Sequence, residues 1–312
     1  MKKKCKFGEI AYWKRKYLQI IARIVSPDKA KEIALLWNFK QLYESEYGEK
    51  PNLRSPKNLS EKLLWIAYYW RNPKKSLCAD KLKCRDYVTK HCGLPQNILI
   101  PLYGVYDDIN EIDFDSLPRS FFLQCNHGCG MNYAVKNKNL LDFSDLKMKF
   151  DAWMKCDYMG NFSEIHYKGI VPHKIICVEY LPSLENDRSV IDYKLHCFNG
   201  EPYFVLVCYD RDERGRAKLA TFSLQWEQVF YTNNEKKSEL MMPKSLPKMI
   251  EYSRTLSSDF PFVRVDYYDV EGSLYLGEMT FSPAGNLPSY FGLDVQDRFG
   301  SILKLPPKYK VR

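Results

Sequence analysis

The sequence predicts an α+β protein with a helical N-terminal region, on three observations. Helical periodicity dominates up to about residue 92, the texture changes near Ile98 to short β-type runs, and turn signals such as Asn199-Gly200 join neighbouring runs as antiparallel hairpins. In the helical part, KAKEIALLWNFKQLYESEYG reads as one helix and NLSEKLLWIAYYWRN as a second, opening on a capping signal at Ser60. ADKLKCRDYVTKHCG reads as a third, with Asp80-Lys81 at its start and Gly93 as its C-cap. Beyond Ile98, SFFLQCNH, YAVKNK, HKIICVEYL, SVIDYKLHCFNG, EPYFVLVCYD and LATFSLQW read as strands. Helical intervals fall at DFSDLKMKFDAWMKCDYM and LPKMIEYSRTLSSD, and the Pro-containing stretches 243–247 and 305–307 read as loops.

A chain of 312 residues, 45% hydrophobic and 27% charged, excludes a disordered or fibrous protein and suits two or three lobes around a cleft. Its longest apolar run, Tyr203 to Tyr209, is far short of the roughly 20 residues a spanning helix needs, so no transmembrane segment is expected. The ten cysteines form no C-x2-C pair, which excludes a zinc ribbon or thioredoxin-like site and fits a reducing cytoplasm. The basic N-terminus MKKKCKFGEIAYWKRKYLQIIARIV is read as retained, because Gln19 and Arg23 interrupt its apolar part and no A-x-A site follows. Residues 1–90 carry 22 Lys+Arg against 9 Asp+Glu, which suits a solvated helical surface or attraction to an anionic partner. Tyr12, Trp13, Tyr17, Ile20, Ile21 and Ile24 beside Lys14, Arg15 and Lys16 suit weak docking on anionic lipid at the inner membrane face, or equally an ordinary packed helix.

Chemistry concentrates in FPFVRVDYYDVEGSLYLGEMTFSPAGN, residues 260–286. VRVDYYDV and SLYLGEMTF are strand-like runs about a glycine turn, and an odd connection such as Glu271-Gly272-Ser273 places Asp266 opposite Glu278 and Arg264 opposite Thr280 on one face. Two acids facing across a ladder repel; a divalent cation between them removes the conflict, and carboxylates bridged to phosphate are how Mg2+ is normally held. The turn Asn126-His127-Gly128-Cys129-Gly130 has small residues where backbone amides can approach phosphate oxygens, although a G-x-G alone also fits a plain hairpin. Asp113-x-Asp115 and Asp210-x-Asp212 match the D-x-D pattern of nucleotide-sugar glycosyltransferases.

The ordered series of Asp80-Lys81, the strand, glycine turn and strand over 121–138, VEYL at 178–181, DYK at 192–194 and RVD…GEMTF…P at 264–283 resembles the ATP-grasp superfamily, and within it the TupA-like proteins associated with bacterial surface polysaccharides, from about residue 55 to 300. The resemblance implies two α+β lobes clasping ATP, divided as 1–75 helical region, 76–180 first lobe and 181–312 second lobe. It implies Lys81 on phosphate, the Gly128/Gly130 turn as a flap with Asn126 beside it, and Glu179, Tyr180 and Leu181 as the adenine hinge, with Glu185 or Asp187 toward ribose. It further implies Lys194 near the triphosphate, Asp266 and Glu278 on Mg2+, and Arg264 on the acyl-phosphate. Gln124 stands where such proteins usually carry Lys, and Thr280 where the superfamily commonly has Asn, so the third metal contact is a hydroxyl or water. The implied activity is an ADP-forming carboxylate–amine ligase using ATP and Mg2+, with a sugar acid and an amine as substrates and no nucleic acid. The rivals are a nucleotide-sugar glycosyltransferase and a polyanion-binding protein with a decayed nucleotide site. His127 beside the flap is either a phosphate or proton contact or a solvent-exposed turn residue, and His166 a substrate contact or a structural histidine.

Overall fold

The computed structural model describes residues 24–158, 164–181, 191–233 and 235–308, so the basic segment before Ile24 and both ribose candidates, Glu185 and Asp187, lie outside the described residues. Helix α1, Pro27–Tyr47, opens on Ser26 and stops at Gly48, whose φ of 75° no continuing helix accepts. Helix α2, Leu59–Tyr69, is capped two residues earlier than the Ser60 signal suggests. Asn58 and Glu61 form a reciprocal capping box, because the side-chain acceptor must precede the acid by three. Ser60 lies inside the helix and donates instead to Gln296 Oε1 at 2.6 Å. The single helix expected over 79–93 is broken: α3, Pro73–Ala79, ends at Asp80 in extended conformation. Helix α4, Lys83–Asp86, then restarts and runs into a π turn, Tyr87–His91. Asp80 caps the restart, its Oδ1 accepting from the amides of Leu82 at 2.9 Å and Lys83 at 3.2 Å.

Two antiparallel sheets follow. The smaller has the order β1 (Leu102–Tyr106), β4 (Ile175–Glu179), β2 (Phe121–Cys125), β3 (Asn132–Val135). Alternation sorts its two faces: Phe121, Leu123, Cys125, Ile175 and Cys177 pack with Leu146 and Phe150 of α5, Phe143–Met154. Gln124, Ile176 and Val178 point the other way and line a cleft. The larger sheet has the order β7 (Lys218–Phe222), β6 (Glu201–Tyr209), β5 (Asp192–Phe198), β8 (Phe262–Val270), β9 (Ser273–Thr280). Helix α6, Leu246–Ser257, packs on β5, β6 and β8, and α7, Leu293–Ile302, packs on α2. Leu59, Leu63, Cys84, Val88 and Leu99 share one buried core with Leu195, Phe204, Val265 and Phe299. Residues 76–99, grouped by the sequence reading with the first lobe, thus pack with the sheet of the second.

The α2–α7 contact depends on Gly300, where a β-carbon would stand 2.0 Å from the Lys57 carbonyl oxygen and 2.7 Å from Asn58 Cα. Backbone atoms at a helix cap cannot swing aside, so Gly300→Ala should lower stability by about 3 kcal/mol in denaturant unfolding. A loss below about 1 kcal/mol would show that the two helices separate without cost.

Candidate nucleotide and metal site

The hairpin of β8 and β9 sets the site. Its turn is two residues, Glu271-Gly272, with φ of 53° and 87°, closing between paired Val270 and Ser273. That register runs through Tyr267↔Leu276, then Gly277 bulges out, and the ladder resumes with Asp266↔Glu278 and Arg264↔Thr280. The expected pairing is therefore reached by a different route, a two-residue turn plus a one-residue bulge instead of a three-residue turn. Without the bulge Glu278 would oppose Val265, on the other side of the sheet from Asp266. Glycine suits the bulge because a β-carbon there would meet the Tyr268 ring at 2.9 Å.

On that face a row of alternating charges crosses three strands. Arg264 donates from Nε to Asp266 Oδ1 at 2.7 Å and from Nη2 to Oδ2 at 2.6 Å, and Lys194 Nζ reaches the same Oδ2 at 2.6 Å. Lys194 is on β5, directly paired with Asp266 of β8. Asp192, two residues before it, is held by Arg211. Burial opposes charge on all three central groups, but their mutual attraction outweighs it. Asp266 stays below the usual carboxylate range, and Lys194 and Arg264 stay above their ordinary values. The like-charge conflict between Asp266 and Glu278 is thus already relieved in the free chain, by Arg264 and Lys194. Glu278 sits at the rim with its side chain 40% exposed, its Oε1 accepting from Thr280 Oγ1 at 2.9 Å and lying 3.5 Å from Arg264 Nη2.

Among the described residues no group of three or more His, Cys, Asp or Glu side chains forms a metal cage. Mg2+ needs none: it is commonly held by one or two carboxylates and completed by substrate phosphate and water. Asp266 Oδ1 accepts one hydrogen bond and keeps lone-pair capacity, and Glu278 offers a second hard carboxylate, so the donor set fits that ion.

A small cleft, open to solvent, runs alongside. Leu99, Ile176, Val178, Leu276 and Met279 give it apolar walls, and Lys81, Gln124 and Glu278 bring polar groups into it. Lys81 donates from Nζ to Gly128 O at 2.8 Å and from its amide to Asn126 O at 3.0 Å, which fastens the glycine turn to the Asp80 cap. Gly128 and Gly130 both have positive φ, 78° and 75°. Asn126 is buried and its amide is engaged by protein: Nδ2 donates to Asp80 Oδ1 and Pro172 O, and Oδ1 accepts from the Lys174 amide. It shapes the turn and does not face the cleft. In the hinge segment, Glu179 N–H donates to Pro101 O at 2.9 Å, which withdraws that amide from a ligand, while Tyr180 and Leu181 are half-buried beyond the strand end.

Neither histidine reading that involves solvent or substrate holds. His127 is buried, stacked on His173 at 3.6 Å, with Nε2 donating to Trp153 O, and burial pushes it down to about 4. His166 is half-buried, rests against the Tyr167 and Phe281 rings and does not line the cleft, and desolvation of its ring pushes it down to about 3. Asp113, Asp115, Asp210 and Asp212 are exposed, and none lines the cleft. Sequence reasoning missed Arg85 and Tyr167, which line the cleft, and buried Glu164 behind it. Arg85 comes from α4, and Glu164 and Tyr167 from the cap and body of the short turn Ile165–Gly169, neither with a local signature.

The chain matches the TupA-like ATPgrasp family over residues 61–304. No curated protein sequence matches it. Among solved structures it resembles D-alanine–D-alanine ligase from Bacillus anthracis complexed with ATP, at 14% identity and TM-score 0.44, over 72% of this chain and 62% of that one. The Helicobacter pylori D-alanine–D-alanine ligase is similar at 13% identity and TM-score 0.42, over 75% and 60%. N5-carboxyaminoimidazole ribonucleotide synthetase from Thermus thermophilus follows at 12% identity and TM-score 0.36, over 82% and 51%. The chain therefore spans less than two thirds of the length of each of these enzymes. The family match, by contrast, takes in both sheets, the glycine turn and the paired acids, and on it the chain belongs to the TupA-like ATP-grasp family.

Proposed function

We propose that the chain is an ADP-forming carboxylate–amine ligase that builds an amide on a sugar acid or sugar-linked carboxylate during bacterial surface-polysaccharide synthesis, working in the cytoplasm, at the inner membrane face where its basic N-terminus docks. The observation that carries the ligase reading is the convergence of Lys81, Gln124 and Glu278 on one apolar-walled cleft, with Asp266, Arg264 and Lys194 beside Glu278. In this reading 76–180 and 181–312 supply the two sides of the cleft. Adenine lies against Ile176, Val178 and Met279, with the Glu179–Leu181 hinge at its edge, and the triphosphate extends under Gly128 and Gly130 toward Lys81 and Glu278.

Bound Mg2+ would be held by Asp266 and Glu278 and would neutralise charge on the transferring phosphate. Lys81 exchanges its Gly128 carbonyl partner for a phosphate oxygen. Arg264 and Lys194, already desolvated and fixed by Asp266, present positive charge without reorganising as the substrate carboxylate takes the phosphoryl group. The amine then attacks the acyl carbon and phosphate leaves.

Incubation with ATP, Mg2+, a panel of uronic-acid sugars and a panel of amines, followed by chromatography, should show ADP and phosphate formed only when an acid is present. AMP and pyrophosphate, or release of UDP from a nucleotide sugar without ATP, would overturn the reading.

A further inference from the structure

Glu164 is a buried carboxyl that the proposed reaction does not use. It lies just ahead of a 3-10 turn, Ile165–Gly169, that brings Tyr167 to the cleft wall. Its Oε1 accepts from Ser282 Oγ at 2.9 Å and its Oε2 from the Tyr158 hydroxyl at 3.4 Å. Burial, partly offset by these two hydroxyls and reinforced by the charge of Glu278, pushes it up to about 7. Each hydroxyl leads to a different working part. Tyr158 supports the glycine turn: its ring lies so close to Gly128 that a β-carbon there would stand 2.9 Å from it. Ser282 lies two residues past the end of β9 and starts the turn through Ala284, Gly285 and Asn286, with φ of 47°, 65° and 72°, closed by Gly285 N–H on Ser282 O at 2.9 Å. A continuous path of contacts thus runs from Gly128 through Tyr158, Glu164 and Ser282 to the end of the strand that carries Glu278 and Thr280.

We propose that Glu164 is a positioning residue that ties the glycine turn to the loop after β9, so that the turn is ordered only when the acid-bearing strand end is in place. The purpose assigned to this link rests on the nucleotide reading of the cleft; the link itself is a property of the free protein. It is tested on the full chain without nucleotide, by amide hydrogen exchange at residues 126–131 and 281–286. Glu164→Ala and Ser282→Ala should each raise exchange in both segments together, by about tenfold for the loss of one buried hydrogen bond. Glu164→Gln, which can still accept from Ser282 and bond Tyr158, should restore protection. A rise confined to 281–286, or a Glu164→Gln protein that behaves like Glu164→Ala, overturns the proposal. Ser282→Ala keeps it falsifiable should Glu164→Ala not fold. In parallel, affinity for a non-hydrolysable ATP analogue should fall about tenfold in Glu164→Ala and recover in Glu164→Gln. Coupled exchange in a protein that does not bind the analogue even as wild type would remove the nucleotide reading and leave the link standing.

Discussion

Asp266→Asn should reduce ATP turnover, measured as ADP release, by about a thousandfold, and Asp266→Ala should in addition lower unfolding stability by about 3–5 kcal/mol. The carboxylate does two things at once. It is a metal donor in the proposed reaction, where charge stabilisation worth several kcal/mol translates into about three decades of rate. It is also the single anion between Arg264 and Lys194, at 2.6–2.7 Å from both, on a nearly inaccessible part of the sheet. Removing it leaves two buried cations whose nearest remaining carboxylates stand farther off, Asp192 at 3.8 Å from Lys194 and Glu278 at 3.5 Å from Arg264. Asparagine removes the charge but retains the shape and one acceptor, so it should lose as much turnover as alanine and less stability. Burial raises the Asp266 carboxyl and the two cations more than reverse this, so its stabilising contribution is present above the ordinary carboxylate range and is lost as pH falls through the lowered value. Acid unfolding of Asp266→Asn should therefore begin from a less stable protein and show a shallower pH dependence. An Asp266→Ala protein of wild-type stability would contradict the ion-pair assignment, whatever its activity.

Glu278→Gln should lose ADP release by at least about a hundredfold and require about tenfold more Mg2+ for half-maximal rate, with a stability change under about 1 kcal/mol. The sequence reading treats the two acids alike, as a facing pair on one metal; the structure separates them by burial. Glu278 is on an edge strand with its side chain 40% exposed, and its partners are a neighbouring hydroxyl and a distant guanidinium nitrogen. Little packing depends on its charge. It stands opposite Asp266 at the edge of the cleft that Lys81 also lines, where the proposed reaction uses its charge on metal and phosphate. A magnesium titration of initial rates checks this. An unchanged magnesium dependence would take Glu278 out of the metal site.

How much of this was legible follows from how local each signal is. Opposition of Asp266 and Glu278 depends only on the parity of a short hairpin, and alternation plus a glycine turn suffices to read it. The bulge escaped because it and a longer turn add the same one residue to β9. The buried side chains of that strand fall at Leu274, Leu276 and Met279, a step of two and then three, and that break is the trace it leaves. Strand β1 was not foreseen: Leu102, Tyr103 and Val105 are exposed at a sheet edge, so LYGVY shows no alternation. The break at Asp80 was hidden because the residues on either side are good helix formers, and it is enforced by tertiary bonds to Asn126. The Asp266–Arg264–Lys194 cluster joins β5 to β8 across 72 residues, and Glu164 meets Ser282 across 118; pairing of that kind has no pattern in a single chain.

The packing of α7 on α2 also bears on how the chain is made. Leu63 and Val88 belong to a core completed by Phe291 and Phe299, and Ser60 waits for Gln296, as Lys62 does for the Leu303 carbonyl. On a ribosome adding roughly 5–20 residues per second, these early helices emerge tens of seconds before their partners. The smaller sheet has no such delay, since β1 to β4 and α5 all lie between residues 102 and 179. Nascent chains long enough to bring residue 190 out of the exit tunnel should therefore resist protease across the small sheet while α2 and α3 remain cleavable, and protection of those helices should appear only once α7 has left the tunnel too. The apolar faces that finally enclose the acid-bearing sheet are thus the longest exposed during synthesis, which makes their emergence the stage at which a chaperone has most to cover.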